Sequence, residues 1–401
     1  MNILLLTPLY KIKGRDSFER NTEAIHYLIK YWNEQQDVQV RVINTYLNPG
    51  RNIAFLLKKG ELSNYKTDYE YEVDSVPVYM TEVQQIPFQS HLWGFQNKKM
   101  LRAVNTVIEK YQFVPDVVIA HFPVRYAPIM ENIPCNGPKI AVAHTTDTRI
   151  CKKKPGFWIP RINKAFDRVY CRSLPINREC RELGLENVAD FIIYSGVPYA
   201  KEIKQNSCSV MINKKITFLY VGKPIKRKHV DYVINALPCL IGKADFDFLI
   251  IGKGTEENSL REQAKMCKIE DRVIFLGSMS RDKVYEYMGK ANIFIMPSTQ
   301  ETLGLVYLEA MMHGCITVGT ENEGIDGIIK DGENGFLVKQ FDQESVTNTI
   351  NRIVTMSEAN ISVISQNAVK TALYYNEKDM SLRYLDEVKR VAKETREREF
   401  K

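Results

Sequence analysis

The chain has 401 residues, 44% of them hydrophobic and 26% charged, with 55 Lys plus Arg against 48 Asp plus Glu. That length suits two domains, and the composition excludes a disordered chain. No run of about 18 uncharged apolar residues is available to span a bilayer, and the net charge of +7 is modest enough that its placement matters more than its size.

The apolar start Met1–Leu6 is followed by Lys11, Lys13 and Arg15, the reverse of a secretory leader, and reads as a first strand. Further short runs of Val, Ile, Leu and Phe follow at Val38–Ile43, Val117–Ala120, Ile140–Ala143 and Phe191–Ile193. The second half repeats the plan at Ile216–Val221, Phe246–Ile251, Val273–Leu276, Ile293–Met296, Ile316–Val318 and Gly335–Val338. Such runs with helical segments between them predict parallel sheets buried on both faces. Helices are expected at Asp231–Leu237, Glu256–Cys267 and Ser280–Met288, the last with a Ser cap and a terminal Gly289. Between the halves, Tyr199–Lys214 is polar and aperiodic. The reading is two doubly wound α/β domains, 1–204 and 205–378, followed by a charged helix over 379–401 that can bury only one face and would pack back on the first domain. Gly50–Asn97, long and Tyr-rich, has no readable pattern.

The eight cysteines form no C-x-x-C pair and only six His are present, which points to a reducing cytoplasm and no structural zinc. Positive charge concentrates at Arg149–Arg181, where ten Lys and Arg stand against Asp167 and Glu179. Within it, Lys152, Lys153 and Lys154 precede an apolar Phe157-Trp158-Ile159 wedge. That mixture suits contact with an anionic membrane surface, and the competing reading is a solvated loop with Trp158 in the core.

Chemistry concentrates in Ile293–Gly314. An apolar strand runs into a short polar loop carrying Glu301, then a helix expected to begin near Thr302 or Leu303, with Glu309 in its second turn. A helix start offers unpaired N–H groups and the positive dipole end to phosphate, and Gly304 lets a ligand approach the backbone. Two carboxylates eight residues apart could each accept hydrogen bonds from sugar hydroxyls on either side of a diphosphate. Read from spacing alone, a capping Glu and a solvated helix Glu fit as well. Upstream, Val221–His229 ends a strand with Gly222, Lys223, Lys226, Arg227, Lys228 and His229, at the carboxyl edge where open α/β sheets bind ligands. In the first half, Ile140–Ala143 runs into His144-Thr145-Thr146-Asp147, where an imidazole could assist a leaving group or acceptor and Asp147 could orient an acceptor or cap a helix. His121 is a similar but poorer case.

Glu301-Thr302-Leu303-Gly304-Leu305 through Glu309, with Lys223 and Lys228 upstream and Asp331-Gly332-Glu333-Asn334-Gly335-Phe336-Leu337-Val338 downstream, resembles the retaining glycosyltransferases of family 4. The resemblance covers most of the second half; in the first half it is carried by the opening strand, His144-Thr145 and Tyr194-Ser195-Gly196-Val197. It implies the GT-B fold, two Rossmann-like domains facing across a cleft. It also implies sugar transfer with retention from a nucleoside diphosphate sugar, a UDP-sugar favoured over a GDP-sugar, with no metal and no other cofactor. The acceptor would be a glycan or lipid-linked molecule of surface polysaccharide or glycoconjugate synthesis, met in the cytoplasm at the inner face of the membrane. By the same resemblance Lys223 and Lys228 hold the diphosphate, beside Gly222. Thr302 and the backbone at Leu303, Gly304 and Leu305 cradle phosphate and sugar, Glu309 binds the ribose, Glu301 contacts the transferred sugar, and His144 lies beside the reacting centre. Two family patterns are missing: a Gly-Gly pair after the first strand, where Lys11–Asp16 has only Gly14, and G-G-x-P-E, where Glu323-Gly324-Ile325-Asp326-Gly327 stands. The competing functions are a nucleotide-sugar hydrolase or epimerase of the same fold and a basic binding protein. A dinucleotide oxidoreductase is disfavoured because Leu6–Leu9 follows the first strand where G-x-G-x-x-G belongs.

Overall fold

The computed structural model describes residues 1–12, 23–48, 68–84, 93–198 and 215–399. Residues 13–16 with Gly14, the linker from 199 to 214 and much of the 50–97 segment lie outside the described residues. The chain divides into two compact units. Unit 1 comprises Met1–Arg172, Ile176–Ser195 and Lys378–Lys401, and unit 2 comprises Ser173–Pro175 and Gly196–Glu377.

Unit 1 is built on strands β1 (Asn2–Thr7), β2 (Gln39–Asn48), β3 (Asp68–Val73), β4 (Val76–Gln84), β5 (Val117–His121), β6 (Lys139–Ala143), β7 (Arg168–Cys171) and β8 (Val188–Ile192). They form one sheet in the order β3-β4-β2-β1-β5-β6-β7-β8, with β3 antiparallel to β4 and the other pairs parallel. The central strands β1, β5 and β6 are almost wholly apolar and buried because both of their faces are covered. Leu4 and Leu6 of β1 pack with Val104 and Trp158 on one face, whereas Ile3 and Leu5 pack with Trp32 and Tyr384 on the other. Tyr384 belongs to the C-terminal helix Glu377–Glu399, which buries Leu385, Val388 and Val391 in the same cluster. Its polar ties include the Trp32 indole N–H donating to the Ser381 carbonyl at 2.9 Å and the Tyr170 hydroxyl donating to Glu387 at 2.6 Å.

Two features of unit 1 escaped the sequence reading. The β3–β4 hairpin turns at Asp74 and Ser75, both at positive φ (45° and 62°), without the Asn-Gly or Asp-Gly pair that marks such turns. Strand β7 is only four residues long and is flanked by Asp167 and Arg172, so it shows no apolar run.

Unit 2 carries β9 (Ile216–Val221), β10 (Phe246–Ile251), β11 (Val273–Gly277), β12 (Ile293–Ile295), β13 (Ile316–Thr320) and β14 (Phe336–Val338). The sheet is parallel, in the order β11-β10-β9-β12-β13-β14. Strand order therefore reverses between β9 and β12, the topological switch point at which open α/β sheets bind ligands beyond the carboxyl ends of their strands. The six runs expected in this half match these strands, with β12 ending before Met296. Among the described residues no helix is long and apolar enough to cross a membrane.

Candidate active site

The segments leaving β9 and β12 meet at that switch point. After β9 the chain makes a 3-10 turn over Lys226–Lys228, and Lys228 is buried. Its Nζ forms an ion pair with Glu301 Oε2 from the loop after β12 and lies 3.5 Å from Met296 Sδ. Arg227 Nη1 reaches the same Oε2 at 3.2 Å, and the Ser298 hydroxyl donates to it at 3.1 Å. Burial pushes the Glu301 carboxyl up, but Lys228, Arg227 and Ser298 outweigh it and hold the group below the usual carboxylate range. Burial pulls the Lys228 ammonium down while Glu301 opposes the change. Glu301 is thus an ionised, mostly buried group and neither a cap nor a solvated residue. Lys223 stands apart: it is exposed and, among the described residues, has no ion pair.

The helix after β12 spans Leu305–Met312, later than its expected start near Thr302 or Leu303. The reason is Gly304, whose φ of 78° is left-handed and ends the loop; a Cβ there would sit 2.6 Å from the Tyr307 ring. Thr302 and Leu303 are therefore loop residues, Leu303 is buried, and the first free helical N–H groups belong to Leu305 and Val306. Glu309 lies in the second turn, where its Oε1 accepts from Arg281 and, at 3.0 Å, from the Tyr285 hydroxyl. Among the described residues, neither Oε1 of Glu301 nor Oε2 of Glu309 accepts a hydrogen bond, so each carboxylate is fixed by one oxygen and its other oxygen has no protein partner.

The residues that hold this arrangement were only partly legible. Arg281 and Tyr285 sit on the helix Arg281–Met288 and carry no motif. Glu323, in the loop that departs from the family pattern, accepts the Glu301 N–H at 2.7 Å and the Gln340 amide at 3.0 Å. A Cβ on Gly324 would lie 2.4 Å from the Thr302 carbonyl, so this loop presses directly on the Glu301 loop. Gly222 lies at the end of β9, and a Cβ on Gly252 would be 2.0 Å from its carbonyl oxygen.

In unit 1 the carboxyl ends of β5 and β6 bring together His121 and His144, both buried, with His121 Nδ1 3.1 Å from His144 Nε2. The Phe122 ring stacks on His144 at 3.9 Å. Burial first, and nearby positive charge second, hold both imidazoles well below their ordinary range. Asp147 accepts from the His144 N–H at 2.9 Å and the Val124 N–H at 3.2 Å, which ties down the start of the helix Thr145–Lys153. Its carboxyl is pushed up to about 7 by burial. Asp147 is a capping group in a capping box in which the His144 side chain accepts from the Asp147 N–H, so the imidazole is engaged both there and by His121.

The basic segment is not a loop but two helices, Thr145–Lys153 and Pro155–Ala165. Trp158 and Ile159 are core residues of unit 1, which corrects the expectation of a Phe-Trp-Ile membrane wedge. The reason is helical spacing: Trp158, Ile159 and Ile162 share the inward face, and Phe157 alone remains 36% exposed, under the Arg161 guanidinium at 3.6 Å. Lys152 pairs with Glu179, while Lys153 and Lys154 are exposed.

Two Rossmann-like, largely parallel sheets, each in its own compact unit, make up the GT-B fold. Solved structures agree on the fold. Anabaena HepE in complex with UDP and glucose matches with TM-score 0.64 and 16% identity over 97% of this chain and 99% of that one. Sucrose-phosphate synthase from Thermosynechococcus elongatus matches with TM-score 0.68 and 15% identity over 98% and 99%. At the level of sequence, residues 202–370 match the family of glycosyl transferases group 1. The Bacillus anthracis N-acetyl-alpha-D-glucosaminyl L-malate synthase is 34% identical over 32% of this chain and 33% of its own length. The alpha-monoglucosyldiacylglycerol synthase of Streptococcus pneumoniae is 31% identical over 36% of each. The matched segments thus span about a third of these two curated relatives.

Proposed function

We propose that the protein transfers a sugar, with retention of anomeric configuration, from a nucleoside diphosphate donor held by unit 2 to a glycan or lipid-linked acceptor bound by unit 1. The observation that carries this reading is the pair of carboxylates after β12, each fixed through one oxygen: Glu301 by Lys228, Arg227 and Ser298, and Glu309 by Arg281 and Tyr285. Glu309 Oε2 suits a ribose hydroxyl, Glu301 Oε1 suits a hydroxyl of the transferred sugar, and the diphosphate between them meets Lys228, Arg227 and the N–H groups of Leu305 and Val306. Lys223, Gly222, Thr302 and Leu303 border the same ligand. UDP is favoured as the nucleotide, in keeping with HepE, whose structures hold UDP and UDP-glucose.

In this mechanism the leaving diphosphate is stabilised by fixed positive charge, with no call on a metal or other cofactor. The acceptor oxygen attacks on the leaving-group face and gives its proton to the departing phosphate. His144, kept neutral and oriented by His121 and Phe122, borders the acceptor side of the reaction. The acceptor class follows the relatives' names, which include a diacylglycerol glycolipid synthase and a lipopolysaccharide core glycosyltransferase. Lys152, Lys153, Lys154 and Phe157 form an exposed basic surface suited to the cytoplasmic face of an anionic membrane.

Turnover screening with a panel of UDP- and GDP-sugars, with and without lipid and glycan acceptors, tests this reading. Acceptor-dependent consumption of one nucleotide sugar is the expected result. Free sugar or an epimer from donor alone would assign a hydrolase or epimerase instead, and no turnover together with no nucleotide binding would end the reading.

A further inference from the structure

Arg172 follows β7, immediately beside the strands that end in His121 and His144, and is 3% exposed. One nitrogen, Nη2, donates to the Ser195 hydroxyl, whereas Nε and Nη1 are buried with no hydrogen-bond partner among the described residues. Among the described residues no carboxylate pairs with it. Among the described residues the buried Nε2 of His121 and the hydroxyl of Tyr384 also have no hydrogen-bond partner, and Arg172 acts electrostatically on His121, His144 and Tyr384. These groups are all contributed by unit 1.

An unpaired guanidinium in a protein interior is strongly destabilising, and its open N–H groups are donors only. Arginine presents them as a planar fork matched to two oxygens of one carboxylate or phosphate. Unsatisfied donors and unpaired positive charge, beside the imidazole that borders the acceptor, fit a negatively charged ligand group.

We propose that Arg172, with His121, anchors an oxyanion, a carboxylate or phosphate group, carried by the acceptor. The acceptor is accordingly an acidic molecule. Assigning the anion to the acceptor rests on the glycosyltransferase reading; the presence of an anion site at Arg172 does not.

The test is thermal unfolding at constant ionic strength in chloride, inorganic phosphate or malonate, in a Lys228→Ala background that weakens anion binding at the donor site. The phosphate and malonate arms distinguish a phosphorylated acceptor from a carboxylated one. One of these anions should raise Tm over chloride by about 2–4 °C. Adding Arg172→Met should abolish that rise, and in chloride this variant should melt at or above the temperature of its Arg172 parent, because the unpaired charge is gone. Arg172→Lys, which keeps charge but loses the fork, should retain a smaller rise. A lower Tm or failure to fold for Arg172→Met in chloride, or equal anion effects with and without Arg172, would overturn the proposal in favour of a structural arginine solvated by buried water. If the wild-type protein shows these anion effects but binds no UDP, the donor reading fails and the anion site stands.

Discussion

Lys228 and Glu301, 73 residues apart in the chain, form the ion pair that joins the two segments leaving the switch point of unit 2. Breaking a buried pair typically costs about 3–5 kcal/mol. Lys228→Ala should cost less than that in urea denaturation, because Arg227 and Ser298 remain on the carboxylate. Its turnover of nucleotide sugar should nevertheless be abolished. Glu301→Gln keeps the shape but loses the charge, so it should retain UDP binding and lose kcat; a normal kcat would remove Glu301 from contact with the sugar.

The Arg281 and Tyr285 contacts to one oxygen of Glu309 make a separate prediction. A hydrogen bond to a charged group contributes about 1.5–3 kcal/mol, so Glu309→Ala should weaken UDP by about ten- to hundredfold. UDP lacking both ribose hydroxyls should bind wild type and Glu309→Ala equally weakly. Arg281→Ala, with Tyr285 still in place, should have a smaller effect. Calorimetric titration of the four combinations checks the assignment, and a preference for the ribose hydroxyls that survives Glu309→Ala would contradict it.

Trp158 belongs to the core and Phe157 to the surface, and the two positions should separate in experiment. Trp158→Ala should destabilise the protein by about 3–5 kcal/mol. A Lys153→Ala, Lys154→Ala, Phe157→Ala triple variant should fold normally but lose sedimentation with anionic vesicles at low salt. If the wild-type protein does not sediment with such vesicles, the membrane surface is ruled out.

The His121–His144 pair sets a pH dependence of stability. Both imidazoles are held neutral in the folded state, so the unfolded chain binds more protons below its ordinary imidazole pKa of about 6.5. Their contribution is complete above that pH and drains away as pH falls, by about 1.4 kcal/mol per pH unit for each imidazole. Asp147 has the opposite sign: its folded carboxyl, raised to about 7, favours the folded state at low pH and loses that effect as pH rises from about 4 to about 7. His121→Gln should therefore flatten the fall in Tm between pH 6.5 and 5 relative to wild type. Parallel curves would mean that His121 is not buried as a neutral group.

Unit 2 was readable in nearly every strand, because buried parallel strands are written as short unbroken apolar runs. Lys228, Glu301 and Glu309 stood out as site candidates through the family resemblance, since their spacing alone fitted a capping Glu and a solvated helix Glu as well. What the sequence hid depends on three-dimensional proximity. Lys223 and Lys228 read as a pair, yet only Lys228 turns inward from the 3-10 turn. Arg281, Tyr285 and Glu323 gain their roles from distant partners. The helix at Leu305 began later than its pattern suggested because Gly304 adopts a left-handed conformation. In unit 1, helical spacing buried a tryptophan that composition had assigned to a membrane surface, and the unpaired nitrogens of Arg172 have no signature in sequence at all.

The central claim is that unit 2 binds a nucleoside diphosphate through Lys228. Isothermal titration of UDP into the wild-type protein and into Lys228→Ala tests it most directly. Saturable one-to-one binding in the wild type, weakened at least about a hundredfold in the variant, is the predicted result. No binding by the wild type, or the same affinity in both proteins, would contradict the account.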